Sequence, residues 1–92
     1  MRNFLSDGTD LKLQIKGLVL EFMKTVPECS ANADGLSTAE IFRKCGLDWG
    51  ARENATSSNQ QYWVVGLLRE LESEGEIQRL PAPTKLWRVL RE

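Results

Sequence analysis

The stretch Val64 to Leu80, VVGLLRELESEGEIQRL, and the segment Lys85 to Leu90, KLWRVL, decide how the chain is read. Val64, Leu67, Leu68 and Leu71 recur at steps of three and four, which places them on one face of a helix. Glu74-Gly75 ends it, because glycine takes the left-handed conformation that terminates helices. Ile77 to Leu80 and Leu86 to Leu90 then read as two strands. Pro81-Ala82-Pro83-Thr84 joins them, a turn whose prolines cannot donate to a ladder. Trp87 and Val89 share one face of the second strand while Arg88 takes the other. The size of Trp87 marks it as core.

Upstream of that stretch, Ser57 or Ser58 caps the helix, with Gln60 or Gln61 three residues further on. Leu47 to Ser57 has no period and reads as an extended connection. Leu36-Ser37-Thr38-Ala39-Glu40-Ile41 is a complete helix start. Ser37 is the cap, Glu40 closes the capping box, and Leu36 meets Ile41 as a hydrophobic staple. This short helix buries Ile41, Phe42 and Cys45 and stops at Gly46. Pro27 to Gly35 is a polar loop. Before it, Leu11, Ile15, Leu18, Val19, Phe22 and Val26 lie on one face of a helix begun by Asp10 and stopped by Pro27. A thinner stripe of Leu13, Gly17 and Leu20 runs on the opposite side and needs its own cover, for which a homodimer is the expectation. Residues 1–10, with Gly8 among them, read as a flexible arm, and 11–92 as a single domain.

Composition bounds the function. Ninety-two residues, 41% hydrophobic and 27% charged, leave room for one domain. A net charge of −1 supplies no overall basic field, so any nucleic-acid binding must come from a local patch. The absence of histidine removes the commonest general base and metal ligand. Cys29 and Cys45 have no histidine to activate them and are too few for a metal site, so they read as reduced thiols. No metal, cofactor or catalytic site is expected. Glu70, Glu72, Glu74 and Glu76 read as a solvated helix end. No apolar run suits a secretion signal or a membrane span, so a cytoplasmic protein is expected.

Three helices followed by a hairpin, with VVGLLRELESEGEIQRL running into KLWRVL, resemble the third helix and wing of the winged helix-turn-helix superfamily. The resemblance covers about residues 11–90 and implies an α+β fold, mostly α, whose C-terminal β-hairpin is the wing. It also implies double-stranded DNA binding by a small transcriptional regulator, with the third helix in the major groove. At 100° per residue Ser58, Asn59, Tyr62, Trp63, Gly66 and Arg69 fall on the outer half of that helix. Ser58, Asn59, Tyr62, Trp63 and Arg69 are the candidate base contacts. Arg43, Lys44, Arg52, Arg79, Lys85 and Arg88 are the candidate phosphate contacts. Residues 43–92 hold eight basic and seven acidic side chains against four and six in residues 1–42, a small bias toward the second half.

A second reading stands beside this one. Arg79, Lys85 and Arg88 also suit a hairpin protecting its edge. Tyr62 and Trp63 also suit packing under the 47–57 connection, against Trp49, or a protein contact. About ten residues separate Gly46 from Ser57, where helix-turn-helix units use three or four, and this insertion carries Asp48 and Glu53 beside Arg52. The alternative is therefore a winged helix serving as a protein-interaction module.

Overall fold

A computed structural model describes residues 2–47 and 58–91, with the side chains of the second segment described from Trp63 onward. Three α-helices, α1 (Phe4–Thr25), α2 (Thr38–Lys44) and α3 (Ser58–Ser73), are followed by the antiparallel strands β1 (Ile77–Arg79) and β2 (Trp87–Val89). The chain is α+β and mostly helical, with the element order and C-terminal hairpin of a winged helix. The connection before Ser58, with its expected cap Ser57 and with Trp49, Arg52, Asp48 and Glu53, lies outside the described residues.

α1 begins seven residues earlier than the apolar pattern predicts, so most of the expected arm is its first two turns. The Asn3 side chain accepts from the Ser6 amide at 3.1 Å and caps the helix. Two further local bonds, Arg2 Nε to Asp7 Oδ2 at 2.7 Å and Thr9 Oγ1 to the Leu5 carbonyl at 2.8 Å, help offset the cost of about 1 kcal/mol that Gly8 brings to a helix. The buried stripe is also shorter than expected. Val19 and Met23 are fully buried and Ile15, Leu20, Phe22 and Val26 are half-buried, but Leu11 and Leu18 stay exposed. Only the C-terminal half of α1 rests on the body, so a continuous apolar period does not become a continuous buried face.

Pro27–Cys29 forms a 3₁₀ turn within the expected polar loop. The capping box of α2 is present as read, with the Glu40 amide donating to Ser37 Oγ at 3.1 Å and the Ser37 amide to Glu40 Oε1 at 3.2 Å. α3 buries Val64, Leu68 and Leu71 and half-buries Leu67. It ends in a left-handed glycine, Gly75 at φ 78°, with the Glu76 amide returning to the Leu71 carbonyl at 3.1 Å.

The register of the hairpin sets Ile77 against Val89, Gln78 against Arg88 and Arg79 against Trp87. Ile77, Trp87 and Val89 are buried, so one face of the sheet closes the core over α3. A feature absent from the sequence reading joins it: Leu36 pairs with Trp87 through two backbone bonds of 2.9 and 2.8 Å, adding a one-residue third strand. The indole is held as well, its Nε1 donating to Thr38 Oγ1 at 3.0 Å. Trp87 therefore ties the hairpin to the start of α2.

Candidate nucleic-acid interface

α3 sits between its neighbours, with α2 and β1 on its core side and the C-terminal half of α1 beside it. At Gly66, on the side of α3 turned toward α1, a Cβ would meet nothing within 4 Å. Ser58, Asn59 and Tyr62 fall on the first turn and a half of this helix, but their side chains lie outside the described part.

Trp63 is placed elsewhere. Its ring stands edge-on to Phe42, centroids 5.8 Å apart, and it remains 39% exposed. With Leu13, Lys16, Gly66, Leu67 and Glu70 it lines a groove of about 450 Å³ between α1 and α3. Leu13 is thus on the rim of this groove, Gly17 faces open space, and Leu20 packs in part against the core. The three residues of the expected dimer face do not share one environment.

The basic candidates separate into two groups. Arg69 and Arg79 place their guanidinium carbons 5.7 and 5.6 Å from the centroid of the Trp87 ring, close enough for cation–π attraction. Arg69 also pairs with Glu72 at 3.1 Å. Arg88 is half-buried and donates to the Ala33 carbonyl at 2.8 Å, pinning the turn before Gly35. These three are already engaged within the fold. Arg43, Lys44 and Lys85 are exposed, the first two at the end of α2 and the third at the hairpin turn. Among the described residues none of these three has an ion-pair partner.

The glutamate run does more than solvate a helix end. Lys16 Nζ bonds Glu70 Oε1 at 2.8 Å and Glu74 Oε2 at 2.6 Å, Lys24 lies 3.9 Å from Glu76, and Arg69 takes Glu72. Every carboxylate of the run has a cation beside it. The Lys16 side chain is only 17% exposed, and its hydrogen bonds to Glu70 and Glu74 raise its pKa while lowering that of Glu70. Sequence reasoning missed Lys16. The available signals were a lysine set inside an apolar stripe, one residue after Ile15 and three before Val19, and the four-residue spacing of Glu70 and Glu74 on one helix face.

Both cysteines are free thiols, Cys29 buried and Cys45 half-buried. Burial, with a smaller contribution from neighbouring Glu28, pushes the Cys29 thiol up to about 11 from 9.0, and burial raises Cys45 as well. The unfolded chain releases the Cys29 proton near pH 9 while the folded chain keeps it until about 11. Stability should therefore hold below pH 9 and fall as pH rises toward 11. Urea midpoints for wild type and Cys29→Ala across this range check it: the variant loses this part of the slope, and parallel curves would contradict the burial of a protonated thiol.

Among the described residues no helix is long and apolar enough to cross a membrane. Comparison with protein-family models, with curated proteins and with solved structures finds no match.

Proposed function

We propose that the domain binds double-stranded DNA in a sequence-specific manner, with α3 in the major groove and the β1–β2 hairpin on the backbone, in the manner of a small transcriptional regulator. One observation carries this reading: the charge of the fold is segregated. Lys16, Lys24 and Arg69 offset three of the four negative charges at the end of α3, which weakens the repulsion of phosphate there. Arg43, Lys44 and Lys85 then stand exposed without a carboxylate partner among the described residues. The phosphate contacts are assigned to these three. Base reading is assigned to Ser58, Asn59 and Tyr62, whose residue types suit it. Trp63, Arg69, Arg79 and Arg88 have partners within the fold, and no DNA contact is assigned to them.

The test is a fluorescence-anisotropy titration of a mixed-sequence duplex at about 50 and 200 mM salt. Each phosphate contact adds about 0.9 to the slope of log affinity against log salt, so Arg43→Ala with Lys44→Ala should lower that slope by about 2. Tyr62→Ala should leave the slope alone and reduce discrimination between sequences. Absence of binding at about 50 mM salt overturns the assignment. A protein-interaction role would then take its place, favoured by the exposed apolar residues of α1.

A further inference from the structure

Five of the seven large hydrophobic residues that stay exposed among those described are on α1: Phe4, Leu5, Leu11, Leu13 and Leu18. Phe4, Leu11 and Leu18 follow one another at seven-residue steps and are 72%, 56% and 50% exposed. Between them, at alternating steps of four and three, come Gly8, Ile15 and Phe22, the last two half-buried at the edge of the body. This is the repeat of a two-stranded coiled coil, with Phe4, Leu11 and Leu18 at d and Gly8, Ile15 and Phe22 at a. In that register Asp7, Gln14 and Glu21 fall at g, and Leu5, Lys12 and Val19 at e.

We propose that α1 pairs in parallel with α1 of a second copy of this chain through the Phe4-Leu11-Leu18 seam. The flanking charges select both the occupant and its direction. In a parallel pair each g residue meets the e residue five positions later on the other helix, so Asp7 of each copy meets Lys12 of the other. Two attractive pairs form. In the antiparallel alignment that overlaps the seam from Phe4 to Phe22, Lys12 faces its own counterpart and Asp7 faces Glu21, both repulsive. Among the described residues Asp7 is held only by Arg2, in an exposed pair that a partner lysine can share or replace. The seam differs from the Leu13-Gly17-Leu20 stripe, and the pairing is independent of DNA binding.

Sedimentation equilibrium of the full chain at about 10 to 300 μM, without DNA, tests the pairing. A concentration-dependent dimer is expected, monomeric after Leu11→Glu, a change at an exposed position that leaves the folded circular dichroism spectrum in place. Asp7→Lys alone should weaken the dimer, and Asp7→Lys with Lys12→Asp should recover it. Direction is read with Gly8→Cys in a Cys45→Ser background, since Gly8 has open space around it. Parallel pairing brings the two introduced thiols face to face and oxidation links them. The antiparallel alignment sets each beside residue 18, about 15 Å along the axis from its counterpart. A monomer at 300 μM, a dimer that survives Leu11→Glu, or a dimer that Gly8→Cys does not link overturns the proposal.

Discussion

Trp87→Ala is expected to cost about 3 to 5 kcal/mol of folding stability. The side chain is fully buried, and its loss opens a cavity bounded by the core faces of α3 and the hairpin. It also leaves Thr38 Oγ1 without the indole donor at 3.0 Å and removes the ring beneath Arg69 and Arg79. A domain of this size has a total stability of roughly 5 to 14 kcal/mol, so the variant should lose a large fraction of it and unfold at a much lower urea concentration. Urea denaturation followed by circular dichroism gives the number. Trp87→Phe separates the causes, since it keeps most of the volume and loses the hydrogen bond, for an expected cost of about 1 to 3 kcal/mol. A loss below about 1 kcal/mol for the alanine variant would show that this residue does not join the hairpin to α2.

Gly35→Ala should be the other severe change, although it adds one methyl group to a surface turn. Gly35 has φ 90°, where L side chains are strained, and a Cβ there would lie 2.7 Å from the Trp87 carbonyl oxygen and 3.1 Å from Leu86 Cβ. That carbonyl accepts from the Leu36 amide at 2.9 Å, so moving it breaks the bridge. The expected cost is about 2 to 4 kcal/mol, combining backbone strain with displacement of β2. Gly46→Ala is the matched control. Its φ is 71°, but a Cβ would meet nothing within 4 Å, so only the conformational cost of about 1 to 2 kcal/mol applies. Equal losses for the two variants in the same urea titration would mean that the close approach at Gly35 is not a constraint.

The elements that the sequence announced are those whose signals are local. Ser37 and Glu40 are three residues apart and their capping box needs nothing from the rest of the fold. The alternation of Trp87, Arg88 and Val89 and the three-and-four spacing of Val64, Leu68 and Leu71 likewise report a face directly. What stayed hidden depends on distant partners. The apolar period of α1 cannot say where the body stops, so Leu11 and Leu18 were expected inside and lie outside. The start at Asn3 was masked by Gly8, whose cost is real but is met by bonds within the same turns. Charge alone could not divide Arg69, Arg79 and Arg88, which are engaged within the fold, from the exposed Arg43, Lys44 and Lys85. Arg69 and Arg79 are committed because a planar guanidinium covers an aromatic ring, which follows only once Trp87 is in place. Among the described residues Lys85 has no such ring to cover, and it stays exposed.

The Leu36 bridge also bears on the order in which the protein folds. The hairpin and each helix are made of near neighbours and can form within microseconds. Trp87 and Thr38, 49 positions apart, come together only after a large loop has closed, and loop closure is the entropic barrier that slows non-local pairing. The docking of β2 beside Leu36 is therefore one of the non-local steps expected to slow folding, together with the packing of α1 on α3, where Lys16 and Glu74 are 58 positions apart. Substitutions that loosen it would slow folding, whereas changes at the exposed end of α1 would leave the rate of the single chain unaltered.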